Sequence, residues 1–527
     1  MEVSPRDEYL NPIEDETIDY RADKGSEDPR TPNPEVPRKW EEWKNQSKNR
    51  ELKYFIPDWS DLVDPRYDFK NERYHNSSGP DDRGSGGWEH EVFAHQFYDT
   101  PAYDGILVSR EVLRKSKKKK RRLEELANGN GGVHRYLRVP PEFPVMGDCG
   151  AFGYVDEKEP PYSVNEVLDY YTRHGFNYGI SVDHLVLGAD DTDERQYRYD
   201  LTLENAQEFY DSHQAWGLKW TPMAAVQGWN VESYVDAAER CVEIGYDYLA
   251  IGGLVRSSTE EIILVLRKIR EAVGPSVDLH ALGVARFGTI DDFVEIGVTS
   301  MDSATYLRRA WTSRKDNFWT RDELVFSAIR VPGPKRSLRT SARKTAKEGT
   351  KQEIEKKEME NGKSLTEDEK ENCISEAVEN AISEALSEKL ESARAMEQRC
   401  FDELRAYGNE ASDALSVPEL VDLLDQYQDY VGRDCLREHY AAMLEARPWD
   451  TCNCAICERV GIEVAIFRGN NRNRRRGFHN TRVFYDLLGK TLKNKNAVRI
   501  QRGADAIEIE NENMRVSDQN TQYQMFE

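Results

Sequence analysis

Short apolar runs alternate with amphipathic stretches through the middle of this chain. The runs at 106–108, 143–146, 178–182, 220–226, 248–251, 277–282 and 298–301 read as buried strands of a parallel sheet. Between them, 163–174, 202–216, 231–244, 259–273 and 290–296 carry apolar residues at helical spacing. Ser163 with Glu166 forms a capping-box pattern, and Thr202 with Asn205 marks the expected start of a second helix. Strands alternating with helices of this length predict the α/β class, and seven strands of the required eight predict a closed (β/α)8 TIM-type barrel. After Trp311 the alternation stops. We divide the chain into a disordered acidic arm (1–50), the barrel with an N-terminal extension (51–330) and a charged linker (331–371). A helical insertion (372–447) with helices over 376–404, 418–426 and 433–445 follows, then a zinc-binding C-terminal segment (448–527).

Composition narrows the class. The 527 residues are 38% hydrophobic and 32% charged, with no apolar run near the length of a membrane span and no signal-peptide pattern. Eight cysteines, three of them in Cys452-x-Cys454-x-x-Cys457, point to metal binding in a reducing compartment, so a cytoplasmic protein is expected. Three thiolates and an imidazole, His479 or the nearby His439, make a closed tetrahedral zinc site with a structural role. The net charge of −23 runs against a polyanionic partner, yet the cations are clustered. Lys117, Lys118, Lys119, Lys120 and Arg121 form one run; Arg474, Arg475 and Arg476 end another, beside the metal motif. Both fit a phosphate-tracking role. Arginine outnumbers lysine, a bias that suits a salt-rich cytoplasm.

The barrel pattern places polar residues at successive strand ends, which converge on one mouth. Asp148, Asp183, Gln227-Gly228, Gly252-Gly253-Leu254 and Asp302 all occupy such stations. Of two carboxylates sharing a mouth, one can attack a sugar carbon while the other handles protons. Asp183 can accept from the amino and ring N–H edge of a guanine-like base; the Gln227 amide and a glycine N–H can donate to its carbonyl. Phe152 and Leu282 can sandwich a flat ring.

Taken as a set, 146–152, 226–229, 251–254, 280–284, 301–306 and the Cys452 to His479 motif resemble those of the tRNA-guanine transglycosylase superfamily. The resemblance covers roughly 138–311 plus the metal segment. It implies Asp302 as the nucleophile that bonds the sugar C1′ and Asp148 as the general acid/base. It also implies base recognition by Asp183, Gln227, Gly228, Gly253 and Leu254, stacking by Phe152 and Leu282, and Zn2+ held by Cys452, Cys454, Cys457 and His479. The chain departs from the family at Val255-Arg256-Ser257, where Ala-Val-Gly or similar is usual, and in the insertion that separates the metal motif from the barrel. The N-terminal extension, with Tyr54-Phe55-Ile56-Pro57-Asp58-Trp59, and the absence of a recognisable RNA-binding appendage look like the DpdA branch. That branch inserts 7-deazaguanine bases into DNA. The resemblance then implies exchange of guanine for 7-cyano-7-deazaguanine (preQ0) through a covalent sugar–aspartate intermediate, with an ATP-consuming partner that opens the duplex. The alternatives are the same exchange on tRNA, a catalytically silent nucleic-acid-binding subunit, and an unrelated barrel lyase or aldolase.

Overall fold

The computed structural model describes residues 39–59, 61–75, 90–127, 132–186, 191–361 and 364–501, less the side chains of 118, 119, 127, 361 and 494–501. These residues fall into two compact units: 39–66, 90–306 and 481–501 form the first; 67–75 and 307–480 form the second.

In the first unit eight parallel strands close into a barrel in sequence order. They are β1 (Lys53–Pro57), β2 (Gly105–Ser109), β3 (Val145–Asp148), β4 (Tyr178–Ile180), β5 (Thr221–Val226), β6 (Tyr248–Ile251), β7 (Asp278–Ala281) and β8 (Ser300–Asp302). Closure runs through β1, whose Lys53, Tyr54 and Phe55 pair with Ser300, Met301 and Asp302. The run at 106–108 is therefore the second strand, and the missing first one lies in the expected N-terminal extension. It escapes the alternation because the described residues between β1 and β2 hold no α-helix, only the short 3-10 segment Ala94–Gln96. Two polar contacts hold it: the Tyr54 N–H donates to Asp104 Oδ2 (2.9 Å) and the Tyr54 hydroxyl to the Ser303 carbonyl (2.6 Å). The barrel is filled by Phe55, Leu107, Met146, Ile180, Met223, Ala225, Tyr248 and Ala250, so it is a packed core and not a pore.

The helices of this unit are α1 (Trp40–Lys48), α2 (Arg110–Lys115), α3 (Lys117–Ala127), α4 (Gly132–Leu137), α5 (Val164–His174), α6 (Thr192–Trp216), α7 (Val231–Ile244), α8 (Thr259–Val273), α9 (Ile290–Ile296) and the start of α10 (Thr305–Thr312). Ser163 caps α5 as its sequence indicates, its Oγ accepting from the Glu166 N–H (3.3 Å) while Glu166 Oε2 accepts from the Ser163 N–H (2.7 Å). Thr202 does not cap α6. That helix starts ten residues earlier, capped by Asp191, and Thr202 lies buried within it, its Oγ1 accepting from the His184 N–H (3.0 Å). The charged first turns of α6 conceal an inward face, on which Arg198 and Tyr199 are buried. The acidic arm also needs correction at its end. Residues 1–38 lie outside the described residues, but Trp40 and Trp43 of α1 are buried, stacked on each other (4.6 Å) with Trp43 on Phe143 (5.0 Å).

The second unit is mostly helical: the rest of α10, then α11 (Pro334–Asn361), α12 (Glu367–Gly408), α13 (Val417–Tyr430), α14 (Arg437–Ala446), α15 (Pro448–Thr451), α16 (Ala455–Val460) and the first turns of α17 (Gly469–Gln501). Short strands β9 (Phe318–Trp319) and β10 (Val325–Phe326) pair antiparallel, and β11 (Ile329–Arg330) pairs in parallel with β12 (Ile466–Phe467). The segment read as a charged linker is largely helix α11. Its Lys, Arg, Glu and Ala content favours helix, and Leu338, Ala342, Ala346, Thr350 and Ile354 recur every four residues as buried or half-buried positions on a helix packed along α12. No helix among the described residues is long and apolar enough to cross a membrane.

Candidate active site and metal centre

Strand register builds the barrel mouth. Asp302 ends β8, and one of its oxygens is clamped: Oδ1 accepts from the Gly283 N–H (2.7 Å) and faces His280 Nε2 (3.1 Å). Oδ2 has no hydrogen-bond partner among the described residues. His280 is fully buried in β7, level with Ser300 of β8. Its Nδ1 lies 2.5 Å from Ser300 Oγ, which is 2.5 Å from the Tyr248 hydroxyl. One direction satisfies each link: Tyr248 O–H donates to Ser300, Ser300 O–H to Nδ1, and Nε2–H to Asp302. The relay runs through the barrel core and fixes the His280 tautomer.

Asp148 ends β3 beside Ser109, the last residue of β2. Its carboxyl is pushed up to about 7, chiefly by desolvation, then by the charges of Asp183 and Asp302; hydrogen bonds from the Gly150 N–H and Ser109 hydroxyl oppose the rise. Only glycine fits position 150: φ is +82°, and a Cβ there would lie 2.4 Å from Ser109 Oγ. Asp183 follows β4 and is pushed up to about 6, again by burial, with a hydrogen bond from Gln227 opposing. That bond runs from Gln227 Nε2 to Asp183 Oδ2 (2.7 Å) and leaves the buried Gln227 Oε1 without a partner among the described residues. Gly252 makes it possible, since a Cβ there would lie 2.3 Å from Gln227 Nε2. The free face of this pair thus presents acceptors, with one amide N–H left to donate. Three carboxylates near one another, two of them pushed towards neutrality, can exchange protons with a bound ligand near pH 7.

The other predicted mouth residues divide. Phe152 sits on the 3-10 turn Ala151–Tyr154 and is 42% exposed, a ring offered to solvent. Leu282 is half-buried against the barrel core. Gly228 is buried under the Tyr234 ring, and Gly253 opens the 3-10 turn Leu254–Arg256. The Leu254 side chain is buried, so a contact from this residue must come from its backbone. Among residues to which sequence reading assigned no role, His280, Ser300, Tyr248, Ser109 and the Gly283 N–H hold the carboxylates. A polar signal was present, a histidine in the apolar run 277–282, but its partner lies on another strand.

Cys452, Cys454, Cys457 and His479 lie together in the second unit, their ligand atoms all within 4.8 Å of one another. The three sulfurs lie 3.6, 3.4 and 3.3 Å from His479 Nδ1. A tetrahedral site with thiolate and imidazole bonds has an S–N edge of about 3.5 Å, so the cluster has the size to hold a metal ion. His479 Nε2–H donates to the Trp319 carbonyl (2.7 Å), leaving the Nδ1 lone pair turned to the sulfurs. Arg321 Nη1 donates to Cys452 Sγ (3.4 Å) and offsets thiolate charge. His479, and not His439, completes the set.

The basic runs separate. On α3 Lys117, Lys120 and Arg121 are exposed, with Lys120 near Glu124 (3.9 Å) and Arg121 near Glu125 (3.5 Å), surface pairs that cost little to break. The side chains of Lys118 and Lys119 lie outside the described residues. Arg475 and Arg476 are buried, which removes them as nucleic-acid contacts. Arg475 lies over Phe69 and donates to Asn471 (3.0 Å). Arg476 donates to the carbonyls of Val464 (3.0 Å), Ile466 (3.1 Å) and Ala310 (2.5 Å). Their neighbour Arg472 meets Glu463 and Glu72 at 2.6 and 2.7 Å. Arg474 alone of the predicted three is half-exposed.

Comparison with known proteins adds one relative. The chain is 34% identical over 459 residues to a DNA-guanine transglycosylase of Salmonella montevideo, covering 84% of this chain and 97% of that protein. No protein-family model matches.

Proposed function

This chain belongs to the DNA-guanine transglycosylases, and we propose that it replaces guanine in DNA by 7-cyano-7-deazaguanine through a covalent Asp302–deoxyribosyl intermediate. It is a glycosyltransferase-type enzyme, a guanine-exchanging transglycosylase acting on DNA. The observation that carries the finer reading is the division of labour at the mouth: Asp302 clamped on one oxygen, Asp148 pushed up to about 7.

The target nucleotide must leave the stack to reach the mouth. Asp302 Oδ2 attacks C1′, the bond from C1′ to the base breaks, and the departing guanine takes the proton of Asp148. The incoming base gives its ring N–H proton to Asp148 and attacks C1′, and the bond to Asp302 breaks. Protons and charge balance over the cycle, and the exchange step itself needs no redox change and no nucleotide cofactor. Asp183 and Gln227 face the donor edge shared by guanine and 7-deazaguanines, which lets one pocket accept both in turn. Phe152 and Leu282 cover the ring, and the backbone at Gly228, Gly253 and Leu254 borders it. Within the same reading, Cys452, Cys454, Cys457 and His479 hold Zn2+ in a closed, structural site that takes no part in the reaction. An ATP-consuming partner opens the duplex.

Radiolabelled 7-cyano-7-deazaguanine is incubated with single-stranded DNA, duplex DNA or bulk tRNA, using the full chain and Asp302→Ala. Label is expected in single-stranded DNA with Asp302 intact only, and in duplex DNA when the partner is added. Label in tRNA alone overturns the substrate assignment; label in DNA with the Asp302→Ala protein overturns the nucleophile.

A further inference from the structure

The buried arginines of α17 leave the second unit without the cationic face that sequence suggested, yet another is present on α11. From Pro334 to Lys347 this helix carries six cations, Lys335, Arg336, Arg339, Arg343, Lys344 and Lys347, and no carboxylate, in a chain whose net charge is −23. All six are exposed, and none stands at the packed positions 338, 342, 346, 350 and 354. None makes an ion pair among the described residues. The distal half of the same helix differs: Lys357 pairs with Glu353 (2.8 Å) and Lys356 with Glu360 (3.9 Å). Cross-helix neutralisation does not account for the stripe either, since α11 and α12 are bridged near their loop, by Lys370 and Glu358 (3.2 Å).

A second observation lies at the foot of the stripe. Arg330, stacked on Phe467 (5.4 Å), has Arg433, Arg314 and Arg336 as neighbouring like charges, and burial together with that repulsion lowers its pKa. Arg433 Nε is buried without a partner among the described residues. Arg314 is drawn off by Asp434 (3.6 Å), Arg437 by Asp422 and Asp425, and Tyr440 packs beside them. Arg330, Arg336 and Arg433, with no carboxylate partner among the described residues, call for an anion.

We propose that the exposed cationic face of α11 docks the phosphodiester backbone of DNA, a sequence-independent grip distinct from base exchange. This rests on the reading of DNA as substrate. Twelve residues of helix rise about 18 Å, room for about five successive phosphates of one strand. Side chains spaced by three and four residues, at 336, 339, 343 and 347, keep one line along that length.

The test uses the full chain, a fluorescent DNA duplex of arbitrary sequence, and a salt series. Arg339→Ala/Arg343→Ala/Lys344→Ala/Lys347→Ala is compared with Lys351→Ala/Lys356→Ala/Lys357→Ala on the distal half. The first set is expected to weaken binding about tenfold or more near 0.15 M salt and to make the log–log salt slope shallower by about three, the distal set to change neither. Arg343→Glu/Lys347→Glu, which keeps the helix formers, should lose more. Circular dichroism checks that α11 persists. An unchanged slope in the first set, or a change seen with tRNA and not with DNA, overturns the proposal. Label transfer by the unaltered protein is measured in parallel. Transfer into DNA with an unchanged slope sinks the docking face alone; a changed slope without any transfer sinks the enzymatic reading and leaves the face standing.

Discussion

The barrel mouth and the interior of the second unit both bury ionisable groups, and they treat them in opposite ways. In the second unit the Arg472 guanidinium meets two carboxylates, Arg476 meets three carbonyls, and His479 faces three sulfurs with its other nitrogen satisfied by Trp319. At the mouth, Asp148 and Asp183 are pushed up to about 7 and 6, and Gln227 Oε1 has no partner among the described residues. Buried charge that is already matched is scaffold. Buried polarity left unmatched carries a cost that a ligand can relieve, which is why such groups gather at sites of chemistry.

The contrast can be broken first at Asp302. Asp302→Asn should lower base transfer by about 10⁴-fold or more while leaving the melting temperature almost unchanged; a loss of fold would make the residue scaffold after all. Metal removal tests the other side. A chelator, or Cys457→Ser, should cost the second unit about 3 kcal/mol or more of stability, read as a separate unfolding step by calorimetry. Asp148→Asn should slow guanine release by about 10²–10³-fold, and the wild-type rate of that half-reaction should fall as pH rises through about 7, where the proton is lost. A flat profile would remove Asp148 from the acid role. His280→Gln should reduce kcat by about 10-fold with KM little altered, because it misorients Asp302 without touching the base.

The smallest expected effect concerns stability. Both carboxyls have folded values above the unfolded 3.8, so the fold favours their neutral forms. That contribution is complete below pH 3.8 and is lost as pH rises through about 6 and 7. Asp148→Asn should therefore raise the melting temperature at pH 8, by the equivalent of about 2 kcal/mol, with the gain closing towards pH 5. Equal gains at both pH values would mean that the carboxyl is not held towards neutrality.

The parts legible in sequence were those governed by local periodicity. The strand and helix alternation from β2 to α9, the Ser163 cap and the three-cysteine spacing are all short-range patterns, and all appear in the structure. The misreadings share a cause. Among the described residues no α-helix follows the strand Lys53–Pro57 to announce it, α6 begins in charged residues that hide a buried face, and α11 looks like a linker because the helix it packs along, α12, comes later in the chain. The arginine run at 472–476 reads as exposed because a charge run usually is, whereas its helix turns Arg472 towards carboxylates, Arg476 towards backbone carbonyls and Arg475 over the Phe69 ring.

Sequence by itself determined which residue types stand at the strand ends, because a βα repeat brings every C-terminal strand end to one mouth whatever the loops do. Only the tertiary structure decided what each of them is able to do. Strand register sets His280 beside Ser300 and Ser109 beside Asp148, and burial, not identity, separates the raised Asp148 from an ordinary carboxylate. Protonation and orientation depend on neighbours across strands and on the water removed by packing, and neither is written in the local order of residues.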